Sequence, residues 1–245
     1  MVTTARDRQY VAPASPHPVF SSAVGGALCL DFVNTNGGRL PGRSDASPGP
    51  DFLDAVRSER LTSYEALLDW SSWIGALSPA AVAAMDTRAR RQSREAERVL
   101  VRALRLREAI YRLGKAATEG WPAPAEDLAA LNDEVSIARA HQQLAPPEGS
   151  SAPRRGGVHA TEPYAWTWTS DDALDAMVWP VALSAAEVFT SDLVKRIGQC
   201  PAHGCGWLFL DTSRGGRRQW CDMAVCGNAE KVRRFREKQR QARRF

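Results

Sequence analysis

The sequence contains no run of about 18 apolar residues, the length a bilayer-crossing helix requires, and its first residues lack the basic-then-apolar pattern of a secretion signal. Neither a membrane span nor export is therefore expected, and a cytoplasmic location is. The motifs that carry catalysis are also missing. There is no Gly-x-Gly-x-x-Gly, no Gly-x-x-x-x-Gly-Lys-Ser/Thr, no Gly-x-Ser-x-Gly and no His-Glu-x-x-His. Histidine is scarce and scattered, at 17, 141, 159 and 203. No enzyme activity is expected from such a chain. Cysteine is scarce too, at five, an odd number with four crowded between Cys200 and Cys226. In a reducing compartment that distribution argues for metal binding rather than a disulfide framework. Cys29 stands apart and reads as a buried, inert thiol.

What the chain does have is an uneven distribution of charge. The net charge is +4, yet residues 195–245 carry 13 Lys/Arg against 4 Asp/Glu, while the preceding 194 residues carry 19 against 24. Four thiolates on one Zn²⁺ sum to about −2 and leave the C-terminal part clearly cationic. Such a field favours polyanions, nucleic acid first.

Along the chain, Pro13, Pro16 and Pro18 among Ser and Ala predict a disordered arm over 1–19. Ala27–Thr35 is the first dense apolar run, either a buried strand or a short helix, and residues 41–50 read as loop. Thr62-Ser63-Tyr64-Glu65 has the spacing of a capping box before the helical stripe Leu67, Leu68, Trp70, Trp73, Ile74 and Leu77. A helical stretch over 79–118 follows from Ser78-Pro79, with Val99, Leu100, Ala103, Leu106, Ile110 and Leu113 as its buried stripe. Its run Arg88, Arg90, Arg91, Arg94 is interleaved with acids, a solvated face. A further helix is expected over 126–141, a loop over 145–163, and a strand at Tyr164–Thr169, whose partner is the segment 142–145. Residues 171–189 read as a helix with a kink at Pro180. The fold class is thus mainly α (α+β): a helical domain over 20–194 with a small β element, then a zinc module over 195–245.

In that module Cys200 and Cys205 are separated by four residues, as are Cys221 and Cys226, with fifteen residues between the pairs. Tetrahedral zinc requires two short clips that each return two thiolates to one ion, and these spacings meet the requirement. One structural Zn²⁺ is expected; an iron–sulfur cluster or a redox dithiol fits less well, since no Cys-x-x-Cys pair exists. His203 lies inside the first clip as a residue outside the ligand set. Trp207–Asp211 and Arg217–Trp220 flank a Ser213–Gly216 turn and suggest a hairpin. A helix from about Asn228 should pack Val232, Phe235 and Ala242 on that hairpin. Knuckle, hairpin and helix in this order describe a treble clef. The helix offers Lys231, Arg233, Arg234, Arg236, Lys238 and Arg240, and the hairpin tip Arg214, Arg217 and Arg218, as contacts to double-stranded DNA. RNA or an acidic protein surface would suit the same charges.

These residues resemble the CGNR zinc-finger family, whose members join this module to an N-terminal ABATE domain. The likeness is carried by Cys200-x₄-Cys205-Gly-Trp-Leu-Phe-Leu-Asp-Thr-Ser-Arg and by Arg217-Arg218-x-Trp220-Cys221-x-Met223-x₂-Cys226-Gly227-Asn228 with Lys231. Upstream it is carried by Leu28-x-Leu30-Asp31-Phe32-Val33-Asn34-Thr35 and Arg39, with support at 106–109 and 128–132. The resemblance implies a stress-induced bacterial transcription regulator with a DNA-binding treble-clef finger. Ala229 stands where the family has Arg, so any contact made by that guanidinium is lost here while the zinc ligands are untouched.

The expected function is that of a one-component regulator, the finger binding DNA and the helical domain dimerising or sensing a small-molecule effector. Asp31, Asn34, Thr35 and Arg39 are the candidate effector contacts, a polar set embedded in an apolar run. Asp31 and Asn34 would equally serve as caps for buried backbone groups. A zinc-stabilised docking module for RNA or protein is the alternative.

Overall fold

The computed structural model describes residues 10–40, 55–146, 164–170 and 172–243. The loop expected at 41–50 and residues 147–163 of that expected at 145–163 lie outside these residues, as do residues 1–9 of the expected arm; Ala145, the first residue of the second loop, belongs to a strand. In the rest of the expected arm Tyr10 donates a 2.7 Å hydrogen bond to Asp31, and Phe20, just beyond it, is buried with its ring stacked on Trp73.

The ambiguous run resolves as a helix, α1 (Leu28–Val33), with Cys29 to Val33 all buried. A helix that is apolar all round has no solvent face and belongs at the centre of a core. Here it lies between α4 (Ser93–Glu119), α6 (Val178–Thr190) and the strand β6 (Leu208–Leu210). α2 (Tyr64–Trp73) starts one residue later than the capping-box spacing indicated: Ser63, not Thr62, accepts from the Ala66 N–H. α3 (Pro79–Arg91) begins as read, with Ser78 capping Ala81 and Pro79 in the first turn, where its missing N–H needs no partner. The long helical stretch, however, divides at Gln92, whose ψ of 49° breaks the ladder before α4.

α4 is the structural spine. Ala96, Val99, Ala103, Leu106, Ile110 and Leu113 recur at three- and four-residue spacing, are all buried, and carry α5 (Ala125–Ala140), which packs beside α6. A two-residue pair, β1 (Arg39–Leu40) with β2 (Ala55–Val56), crosses one end. β3 (Gln142–Ala145) pairs antiparallel with β4 (Ala165–Trp168), Gln142 opposite Trp168 and Ala145 opposite Ala165, as the aromatic alternation indicated. α6 starts at Val178, so Pro180 falls in its first turn rather than at a mid-helix kink.

The fold is thus mainly helical with small two-stranded sheets. The C-terminal part opens with β5 (Ile197–Gln199), antiparallel to β6, Ile197 facing Leu210 and Gln199 facing Leu208. The expected hairpin partner of β6, residues 217–220, forms no strand. Asp211 explains this: its carboxylate accepts from the N–H groups of Ser213 and Arg218, each at 2.9 Å, and the Ser213 hydroxyl takes the Arg217 N–H. Side chains thereby satisfy backbone donors that a ladder would need. The chain then passes through one π-helical turn (Met223–Gly227) into α7 (Asn228–Ala242).

Candidate zinc centre and basic helix

The first cysteine clip is the loop that joins β5 to β6. Cys200 N–H donates to the Trp207 carbonyl at 2.8 Å and Cys205 N–H to that of Ala202 at 2.9 Å, which folds the loop back on itself. The second clip brackets the π turn, whose free N–H groups at Ala224 and Val225 are capped by Asp222. All four sulfurs converge, lying within 4.8 Å of one another. Cys221 Sγ is 3.5 Å from both Cys205 Sγ and Cys226 Sγ. Sulfurs arranged tetrahedrally at about 2.3 Å from one ion stand about 3.8 Å apart, whereas a disulfide requires about 2.05 Å. Cys200, Cys205, Cys221 and Cys226 therefore fit one structural zinc ion. Their mutual crowding raises the cost of ionising all four: neighbouring thiols donating to Cys200 pull its ionisation down, while Cys200 and Cys205 push that of Cys221 up. A divalent cation is what permits four thiolates in so small a volume. Bound in that way, zinc has no open coordination position for a water.

The clips are tied to the helical domain at several points. Asn34 bonds both main-chain groups of Leu208, and Leu210 N–H donates to the Gly25 carbonyl at 2.7 Å. Arg39 N–H donates to the Cys205 carbonyl at 2.8 Å. On the facing helix, a β-carbon at Gly114 would sit 2.6 Å from Leu208 Cδ1, so glycine is what allows β6 to approach α4 this closely. Gly38, with φ of 101°, plays the same part against the first clip, since a β-carbon there would meet the Gly204 oxygen at 2.1 Å.

Arg218, expected at a DNA surface, is turned inward. Its guanidinium donates to the carbonyls of Trp220, Leu210, Val24 and Cys221 and lies 4.5 Å over the Phe209 ring. Arg214 and Arg217 are exposed on the adjoining loop. Along α7, residues Lys231 to Arg240 are all exposed, among them Lys231, Arg233, Arg234, Arg236, Lys238 and Arg240. Arg233 is bridged to Glu230 at 2.8 Å and to Glu237 at 2.7 Å. Glu230 is buried and also accepts from the His203 N–H, which fixes the helix to the first clip. His203 keeps an exposed position and is outside the sulfur cluster. The expected packing of Val232 and Phe235 on a hairpin is not found, for they are 48% and 62% exposed. Residues 217–220 form no strand, so the hairpin expected to cover that face is not there among the described residues.

The candidate effector residues are buried and widely engaged. Asp31 accepts from Tyr10 and from Gly25 N–H, and burial pushes its carboxyl up to about 6. Asn34 holds Leu208, and the Thr35 hydroxyl donates to the Phe32 carbonyl. Arg39 stacks 3.5 Å over Tyr111 and pairs with Glu108 through both terminal nitrogens. Glu108 is shared with Arg107, which in turn pairs with Glu59, and these cations hold both carboxyls below the usual range against the opposing effect of burial. Among the described residues, Arg39 borders a cleft beside the first clip whose lining does not include Asp31, Asn34 or Thr35. Of the charged chain Glu59–Arg107–Glu108–Arg39, the sequence reading singles out Arg39 and the segment 106–109, but neither Glu59 nor the pairing that links them.

Two clefts flank the first clip. One, of about 290 Å³, is bordered by Arg57, Arg60, Trp207 and Ala229. The other, of about 330 Å³, is bordered by Arg39, Lys115, Gln199 and Arg233.

Two family models match the chain. Residues 196–239 match the CGNR zinc finger, and residues 26–192 match the ABATE family, described as "Putative stress-induced transcription regulator". The second match spans well over half of the chain, which therefore belongs to the ABATE family. A search of curated proteins found no match.

Proposed function

We propose that this ABATE-family chain is a DNA-binding transcription regulator in which one structural zinc ion presents α7 to double-stranded DNA. The carrying observation is the unbroken exposed stretch Lys231–Arg240, with six cations against Glu237, anchored through buried Glu230 to a four-sulfur cluster. A rigid cationic helix suits phosphate contacts and guanine edges in the major groove. Lys231, Arg234, Arg236, Lys238 and Arg240 are the principal contacts; Arg233 is shared with its two glutamates, and Arg214 and Arg217 reach a neighbouring phosphate. Arg218 is assigned to architecture instead. In this reading the unit 195–245 is a treble-clef-like finger and 20–194 a regulatory unit that dimerises or takes a small-molecule effector. The protein works where the bacterial chromosome is, in the cytoplasm. Catalysis has no part in it, in keeping with the regulatory description of the family.

The test is binding of zinc-loaded protein to genomic duplex fragments across salt concentrations. Neutralisation of about six phosphates gives a slope of log K against log salt near −5, with selected sites outlasting random duplex under competition. A flat salt response, or no duplex bound at low salt, overturns the reading. The exposed apolar side chains Val225, Val232 and Phe235 favour a second reading, docking of α7 on a protein. Binding that persists at high salt and requires Phe235 would support that alternative.

A further inference from the structure

We infer that Val232, Phe235 and Gln239 are the base-reading side chains of α7 and that they select A·T pairs, the two apolar groups through thymine methyls and the amide through adenine. The inference rests on the DNA-binding reading and deepens it, since phosphate contacts alone carry no sequence information.

The geometry of α7 sets these residues apart. Glu230 is buried and accepts from the His203 N–H, so its face of the helix is turned to the first clip. At about 100° per residue, Phe235 stands about 140° from Glu230 around the axis, Val232 about 160° and Gln239 about 180°. They form one ridge directed away from the clip, and all three are exposed. Cations border this ridge on both sides, Lys231, Arg234 and Lys238 on one and Arg236 and Arg240 on the other. The ion pairs found on α7 among the described residues involve Arg233 and not these five.

A ridge between two cationic flanks is the cross-section that a major groove accepts. The groove is about 12 Å wide and a helix with its side chains about 10–12 Å, so the ridge meets the floor while each flank faces one phosphate wall. A second copy of α7 laid on the same ridge would bring cationic flanks against cationic flanks. On the groove floor an apolar side chain that covers a base donor or acceptor leaves it unmatched, whereas one that covers the thymine methyl removes apolar surface from water. Val232 and Phe235 are therefore selective through both the gain and the penalty. The Gln239 amide carries one donor and one acceptor in the arrangement that adenine N7 and N6 complement. From Val232 to Gln239 the helix rises about 10 Å, which spans about three base pairs.

The experiment selects duplexes from a randomised pool with the zinc-loaded full chain, then measures binding of the selected duplex with uracil in place of thymine. A core of about three A·T pairs is expected, and each methyl removed should weaken binding about fourfold. Uracil changes only the DNA, so this result does not depend on how a substituted chain folds. Phe235→Ala should lose the response to uracil at one position, and Gln239→Ala should relax the choice of adenine about tenfold. The slope of log K against log salt should match the parent's in both, because the flanking cations are intact. A G·C core, equal binding of uracil and thymine duplexes, or an unchanged uracil response in zinc-loaded Phe235→Ala overturns the inference and leaves DNA binding standing. Loss of self-association in Phe235→Ala with the selected sequence unchanged would assign the ridge to a contact between copies and overturn it as well. No duplex bound at low salt removes both readings together.

Discussion

Asn34 and Leu208, 174 residues apart in the chain, exchange two hydrogen bonds: the amide Nδ2 donates to the Leu208 carbonyl at 2.8 Å, and the Leu208 N–H donates to Oδ1 at 3.1 Å. A side chain at the end of α1 thus behaves as one more residue of strand beside β6, and both partners are buried. Asn34→Ala leaves a buried donor and a buried acceptor unmatched, at about 1–3 kcal/mol each. Urea unfolding should show a loss of about 2–5 kcal/mol, and a loss below about 0.5 kcal/mol would contradict this role.

Cys221 touches two of the other three sulfurs, so its removal should empty the site. Cys221→Ser is expected to lower zinc from one per chain to below about a tenth, with a fall in melting temperature. Cys29→Ser is the control. Cys29 is fully buried in α1, away from the cluster, and the substituted chain should keep its zinc. Elemental analysis of dialysed protein measures both.

Arg218 and Arg217 are neighbours in sequence with opposite surroundings, one bonded to four carbonyls and the other exposed. Arg218→Ala should destabilise by about 2–4 kcal/mol, because charged hydrogen bonds are lost and buried carbonyls are stranded. Its salt slope on DNA should match that of the parent chain. Arg217→Ala should do the reverse, leaving stability within about 0.5 kcal/mol and reducing the slope by about one. Interchanged outcomes would mean that the inward position of Arg218 does not persist in solution.

Asp31 makes stability depend on pH in an unusual direction. Burial raises its folded pKa from the ordinary 3.8 to about 6, so the folded chain holds this proton more tightly than the unfolded one. Ionisation therefore costs stability; the cost is absent below about pH 4, grows between 4 and 6, and is complete above 6, reaching about 3 kcal/mol. Asn at this position can still accept from Gly25 N–H without a charge. The stability of Asp31→Asn relative to the parent should rise by about 2–3 kcal/mol from pH 4 to pH 7. Taking the difference removes contributions common to both chains, including zinc loss and protonation of Glu59 and Glu108. A pH-independent difference would show that Asp31 titrates normally.

The legible parts of the sequence were those whose pattern is local. Spacing alone exposes the two cysteine clips, and the period from Val99 to Leu113 exposes the buried face of α4, though not its separation from α3 at Gln92. Alternating Tyr164, Trp166 and Trp168 marked β4 and its partner. What stayed hidden was decided by distant residues. β6 looked ready to turn back through Gly215-Gly216, but its true partner is the short Ile-Gly-Gln of β5, and Asp211 had already claimed the donors of the return segment. A guanidinium in a basic run reads the same whether it faces water or four carbonyls, and the sequence does not distinguish Arg218 from Arg217. For Asp31 and Asn34 the backbone-capping role is legible as one of two readings, but the sequence does not name the partners, Gly25 for Asp31 and the distant Leu208 for Asn34.

Ile197, Leu208 and Leu210 belong to the same apolar cluster as Leu30, Phe32 and Trp70. A ribosome adding about 5–20 residues per second releases Leu208 roughly 9–35 s after Asn34, and during that interval the groove at Gly114 faces water. The nascent helices must wait with their core open, in reach of chaperones and proteases, until the zinc-binding segment arrives to close it. Chains stalled with residue 195 just emerged should be cut readily by protease, and chains stalled beyond residue 230 in the presence of zinc should resist; equal resistance would show that the helices close without the finger.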